Sequence, residues 1–121
     1  MNTFILAHHT ADRAGEHYDL YLSQTADCIT FDAWALRKGI PTQRGVKHLA
    51  IKVVDHSRTE AMFEGTIPKG SYGAGTKEII DEGTYRRYDS VIEFFGNQIL
   101  GEYRMARAPT YGKNAWLIWR A

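Results

Sequence analysis

Short apolar or alternating runs follow one another along almost the whole chain, and turn-forming residues separate them. Residues 4–9 form an apolar run that closes on histidines, residues 17–22 alternate, and residues 31–36 are aromatic and apolar. Residues 48–54 alternate as well. Leu49, Ile51 and Val53 fall on one face, and His48, Ala50, Lys52 and Val54 on the other. Residues 76–80, 90–95, 98–105 and 115–119 continue the series. Asp81-Glu82-Gly83 and Gly96-Asn97 suit hairpin turns, residues 11–16 read as a loop, and Tyr111-Gly112-Lys113-Asn114 is another. No stretch holds a helical period beyond a turn or two. The pattern predicts an all-antiparallel β domain, a barrel or a sandwich, over residues 1–121.

A chain of 121 residues makes one domain and buries one real core. No apolar run approaches the ~20 residues that span a bilayer, and the first residues lack the basic start of a signal peptide. The single cysteine, Cys28, excludes an internal disulfide and fits a reducing cytoplasm. It reads as a small core hydrophobe. Net charge is +1, so the whole molecule does not announce nucleic acid. Local clusters do more. Arg37, Lys38, Arg44, Lys47, His48 and Lys52 fall close together, and Arg86, Arg87, Arg104 and Arg107 form a second set. Such clusters bind phosphates or are solvated loop charge.

His17 and Asp19 lie two apart on a strand and therefore share a face. His9 ends the preceding run, so a hairpin brings it to the same place. Two imidazoles and one carboxylate can hold Mn²⁺, Fe²⁺ or Zn²⁺ with positions open for water and substrate oxygens. The plain alternative is three unrelated polar side chains. His8 faces the other way on the strand and is kept as a neighbour.

Residues 63–76 read Phe-Glu-Gly-Thr-Ile-Pro-Lys-Gly-Ser-Tyr-Gly-Ala-Gly-Thr. The glycines lack the strand–loop–helix setting of a nucleotide phosphate loop, so the segment reads as a structural turn anchored by buried Glu64 and Tyr72. Trp34, Trp116 and Trp119 sit in apolar runs and read as core.

His17-Tyr18-Asp19, residues 63–76, Trp34-Ala35-Leu36-Arg37-Lys38-Gly39, the stretch 48–56 and Trp116-Leu117-Ile118 together resemble the 3′-phosphoesterase domain family of DNA ligase D. The resemblance spans nearly the whole chain. It implies a mostly β, single-domain, partly open (disrupted) β-barrel of short antiparallel strands. It implies metal ligation by His9, His17 and Asp19, with Mn²⁺ or another divalent transition metal as cofactor. It also implies active-site roles for Lys38 and His56, with His48 at the position of a family arginine. From the residues alone, His48, Lys52 and His56 share a parity in one strand and Lys38 ends a neighbouring one, so that face supplies cationic donors around a phosphate, and Arg37 beside Lys38 can compensate for a missing arginine. The departures are Tyr21 where many members carry arginine, His48 at an arginine position, Val54 at an acidic one and Glu60 at a tyrosine.

The expected activity is metal-dependent removal of 3′-phosphates or terminal 3′-ribonucleotides from DNA ends in repair by end joining. The expected partners are DNA or RNA-terminated 3′ ends and an end-joining ligase and polymerase, with the chain a cytoplasmic monomer and no membrane involved. Two rival readings stay open. One is a non-catalytic DNA-end or ligase-binding module, motivated by Tyr21 and His48. The other is a non-haem Fe(II) oxygenase with His17, Asp19 and His56 as ligands.

Overall fold

The computed structural model describes residues 1–121. Nine strands carry the chain: β1 (Asn2–Ala11), β2 (Gly15–Ser23), β3 (Thr30–Leu36), β4 (Lys47–Ser57), β5 (Gly65–Ile67), β6 (Gly75–Tyr88), β7 (Val91–Phe95), β8 (Leu100–Arg107) and β9 (Ala115–Arg120). The helices are a five-residue α1 (Arg58–Met62) and a 3₁₀ turn at Pro109–Tyr111. No helix is long and apolar enough to cross a membrane. Neighbouring strands run β1-β2-β3-β4-β9-β8-β7-β6, all antiparallel, and β6 pairs back onto β1. Eight strands therefore close a ring, and β5 adds to the free edge of the first half of β6. Of the barrel or sandwich that the strand pattern allows, the small antiparallel barrel that the family resemblance implies is the one that forms. Its disruption is confined to two register shifts, and the ring itself is closed.

Alternation decides what the barrel holds. Phe4 and Leu6 of β1, Leu20 and Leu22 of β2, Trp34 and Leu36 of β3, and Ala50 of β4 point inward. Tyr85, Ile92, Phe94, Tyr103, Met105 and Ile118 meet them from the other four strands. Phe94 stands edge-on to both Phe4 and Tyr103, at 4.9 and 5.5 Å between ring centres, an arrangement that adds to plain area burial. The opposite face of β1–β3 is also covered. Ile5, Ala7, Tyr21, Phe31 and Ala33 form a second cluster outside the barrel, capped by Ala61 of α1. Cys28 sits only half-buried at the rim of that cluster, with Sγ 3.0 Å from the Thr3 hydroxyl, so it is not part of the interior. Trp34 is interior and Trp116 packs edge-on against it. Trp119 is half-exposed under the Lys47 ammonium rather than in the core.

The register shifts are bulges, and each reverses the facing of a strand. Opposite β3, Phe31 pairs with His56 but Ala33 pairs with Val53, leaving an extra residue in β4. Opposite β1, Ala7 pairs with Ile79 but Leu6 pairs with Asp81, leaving Ile80 as the extra residue of β6. Lys77 and Ile79 therefore face outward, whereas Asp81 and Tyr85 face inward, although all four positions are odd. The hairpin expected at Asp81-Glu82-Gly83 is absent, because β6 runs straight through it. The Asp81 carboxylate instead accepts from the backbone N–H groups of Glu82, Asn97, Gln98 and Ile99 at 2.7–3.0 Å. It thereby organises the β7–β8 turn that Gly96-Asn97 does form.

Helix α1 has a readable origin. Ser57 accepts from Glu60 N–H while the Glu60 side chain accepts from Ser57 N–H, a capping box written as Ser-x-x-Glu.

Asp81 is buried at 4% exposure, and its removal leaves four backbone donors without their acceptor at once, that of Ile99 fully buried. Asp81→Ala is expected to lower stability by about 3 kcal/mol or more, measured by urea unfolding. A loss under about 0.5 kcal/mol would show that the turn is held by other contacts.

Candidate metal centre

The register of three strands sets the site. His9 of β1 pairs with His17 of β2 on one side and with Lys77 of β6 on the other. Ala7 pairs with Asp19, and Ile5 with Tyr21. All of these side chains share the outer face, so the polar centre continues the second apolar cluster beyond Ala7.

His9 Nδ1 lies 2.9 Å from Asp19 Oδ2, and His17 Nε2 lies 3.0 Å from Asp19 Oδ1. One donor atom from each residue falls within 4.8 Å of the others. The remaining nitrogens are occupied. His9 Nε2 donates to the Gly73 carbonyl at 2.6 Å, and His17 Nδ1 to that of Gly15 at 3.2 Å. Metal-binding imidazoles are usually held this way, with the far nitrogen donating to a carbonyl and the near one aimed at the metal. The donor set suits a divalent transition metal. Gly73 has φ +74°, and a Cβ there would lie 3.0 Å from the His9 ring, so only glycine brings this carbonyl so close.

Electrostatics follows from the geometry. The hydrogen bond to Asp19 raises the His17 pKa above its ordinary value, outweighing burial. Burial works against the Asp19 charge, but hydrogen bonds and charges from His17 and His9 prevail and hold its carboxyl below the ordinary range. Tyr21 donates to Asp19 Oδ2 at 3.3 Å, and burial pushes this hydroxyl far above its usual pKa, so it remains a donor. Lys77, 6% exposed, donates to the Tyr21 hydroxyl at 2.9 Å and to the carbonyls of Glu60 and Ala61 at 2.8 and 3.3 Å.

The triad heads a groove of about 1420 Å³. Its apolar lining includes Ala33, Ala35, Ile51 and Val53, and Arg37, His56, Lys69 and Tyr72 also line it. His56 arrives through the β4 bulge. Its ring is edge-on to Tyr21 at 5.4 Å and faces Tyr72 at 6.1 Å, and its Nδ1 is buried with no hydrogen-bond partner.

Residues 7–110 match the family described as the DNA Ligase D 3′-phosphoesterase domain. The chain belongs to this family. Among similar proteins is the multifunctional non-homologous end joining protein LigD of Mycobacterium bovis, 38% identical, the alignment covering 98% of this chain and 16% of that protein. LigD of Pseudomonas aeruginosa is 33% identical, over 93% of this chain and 14% of that protein. LigD of Mycolicibacterium smegmatis is 31% identical, over 97% and 16%. The chain thus spans about a sixth of the length of these relatives. A phosphoesterase family is a family of hydrolases.

Within this family site, the structure brings His9, His17 and Asp19 together, and places His56 and Arg37 along the same groove. His56 is not part of the ligand cluster, so the His17–Asp19–His56 triad of the oxygenase reading does not assemble. His8 turns away toward Glu16 and Tyr18. Lys38, His48 and Lys52 do not line the groove. Lys38 is exposed in the turn after β3. His48 Nδ1 donates to the Gly39 carbonyl at 2.7 Å. Lys52 bonds Val53 O and Asp55 and lies over Trp34. The shared parity of His48, Lys52 and His56 in the sequence does not hold, because the bulge turns His56 to the outer face while the other two stay on the inner one. Neither Glu64 nor Tyr72 is buried. Glu64 holds the turn by accepting from Ile79 N–H at 2.8 Å, and Tyr72 is 72% exposed. Lys77 is the residue that the sequence reading passed over. Its one signal is a lysine within the predicted strand 76–80, where the bulge converts an unremarkable position into a buried one.

Without metal, the site is expected to make stability depend on pH in both directions. His17, with its raised pKa, stabilises the fold fully below about pH 6.5, and that contribution is lost as pH rises through its folded value. Asp19, with its lowered pKa, stabilises the fold above about pH 4, and that contribution is lost as pH falls through its folded value. Melting curves in EDTA should peak between these limits. Asp19→Asn should remove most of the decline above neutrality, and an unchanged alkaline decline would contradict the assignment.

Proposed function

We propose that this chain is a divalent-metal-dependent 3′-phosphoesterase that removes 3′-phosphates or terminal 3′-ribonucleotides from DNA ends in end-joining repair. The observation that carries this reading is the convergence of His9, His17 and Asp19 at the head of an open groove, in a member of a phosphoesterase family. In this reading the three side chains hold Mn²⁺ or a similar ion. When bound, such an ion supplies a Lewis acid for a phosphoryl oxygen and makes its bound water more acidic. The carbonyls of Gly15 and Gly73 keep both imidazoles in the ligating orientation.

The other roles belong to the groove. His56 donates a proton to the leaving oxygen, from a position held by β4 and α1. Arg37 and Lys69 line the groove as cations for substrate phosphates. Lys38 follows Arg37 in the exposed turn and serves the nucleic acid outside the groove. His48 and Lys52 support the turn after β3 and the end of β4 rather than the substrate. The partner is a 3′ end of DNA, with or without a terminal ribonucleotide, passed between this activity and a ligase and polymerase.

One observation favours the binding-module alternative: Tyr21 is engaged with Asp19 and Lys77, so position 21 offers no free cation to phosphate. Turnover separates the two readings. Primer–templates ending in a 3′-phosphate or a ribonucleotide, incubated with and without Mn²⁺, should release phosphate or nucleoside only with metal. Asp19→Ala should abolish release, and His56→Ala should lower turnover about a hundredfold or more. Tight end binding with no release in Mn²⁺, Co²⁺ or Zn²⁺ would establish the binding module instead.

A further inference from the structure

Lys77 is a buried cation to which the proposed reaction assigns no role. An ammonium group has three hydrogens, and three oxygens surround this one: Tyr21 Oη, the Glu60 carbonyl and the Ala61 carbonyl. No hydrogen is left for a substrate phosphate. Its partners say what it does instead. A tyrosine oxygen that accepts from an ammonium has to send its own hydrogen elsewhere, and here the acceptor is Asp19 Oδ2. That oxygen also faces His9 Nδ1, while Oδ1 faces His17 Nε2. The Tyr21 hydrogen bond therefore fixes the rotation of the carboxylate that both imidazoles meet. On its other side Lys77 binds the last carbonyls of α1. That helix is capped by Ser57, the residue directly after His56. A single side chain from β6 thus joins the metal ligand on β2 to the helix that anchors His56.

We propose that Lys77 is a positioning residue of the metal centre, acting through the Tyr21 hydroxyl to orient Asp19 and through α1 to hold His56 beside the groove. The proposal rests on the metal-centre reading given above. The competing account is charge alone: a cation near a divalent ion repels it, and its removal tightens metal binding.

The sign of the effect decides between them. Mn²⁺ affinity is measured by titration calorimetry on the full chain, with melting curves to confirm folding. Lys77→Met is expected to weaken Mn²⁺ about tenfold, as is Tyr21→Phe, because each removes an outer partner of a ligand. The double variant should be no weaker than either single one, since both act along one chain of hydrogen bonds. On a 3′-phosphate primer–template, Lys77→Met should lower kcat and leave KM for DNA unchanged. Unchanged or tighter Mn²⁺ binding in Lys77→Met, or additive losses in the double variant, would overturn the proposal. Where Lys77→Met does not fold, Lys77→Arg with and without Tyr21→Phe measures the same coupling, and additivity again overturns it. No Mn²⁺ binding by the unmodified chain would remove the metal reading and this inference together. Binding that Lys77→Met leaves unaltered would remove this inference alone.

Discussion

A pleated strand has only two faces, and in this barrel both faces of β1, β2 and β3 are buried. The inner face fills the barrel with Phe4, Leu6, Leu20, Leu22, Trp34 and Leu36. The outer face needs a second cover, and α1 supplies part of it over Ile5, Ala7, Tyr21, Phe31 and Ala33. Each large apolar side chain removed from water this way stabilises the fold by about 1.5–3 kcal/mol before entropy is counted. The candidate metal centre lies at the end of this second cluster, where the same outer rows change from Ile5 and Ala7 to His9, and from Tyr21 to Asp19 and His17. A carboxylate placed against an apolar floor is costly unless it is fully partnered. The register of β1 and β2 brings two imidazoles and a phenol to Asp19, and these partners offset the cost of burying it.

Two bulges then decide which other side chains reach the centre. A bulge offsets one strand by one residue and exchanges its faces from that point on. In β4 the exchange sends His56 outward into the groove while His48 and Lys52 remain on the other side. In β6 it sends Lys77 outward and Asp81 inward. The second effect joins function to stability, because the same bulge that turns Lys77 toward Tyr21 places Asp81 where it organises the β7–β8 turn. Gly73 adds a third constraint, since its carbonyl holds His9 at a distance that no side chain at that position would allow.

The charge of the site is local. A net charge of +1 offers no long-range pull on nucleic acid, so in the proposed reading recognition of a 3′ end rests on the cations along the groove and on a bound metal. Lys77 is not among the groove's free donors. Its charge is spent within the protein, on a hydroxyl and two carbonyls, and its influence passes through Asp19.

How much of this was legible in the sequence can be told residue by residue. Strand alternation, turn residues and the spacing of His9, His17 and Asp19 pointed to a small antiparallel barrel or sandwich and to a candidate metal triad, because hairpin pairing and a period of two are local properties. The Ser57-x-x-Glu60 capping box is equally local, but the sequence reading passed over it, because a five-residue helix is too short to show a helical period. The facing of His56, the burial of Lys77 and the role of Asp81 were not legible. The fault lies in a rule that holds only within an unbroken ladder. Periodicity assigns faces strand by strand, but a bulge is defined by the partner strand, and which residues oppose one another is settled when the ring closes. The sequence by itself determined most of the strands and the three candidate ligands. The tertiary structure alone decided which cations and imidazoles face them, because only the closed barrel sets the register across β3–β4 and β1–β6.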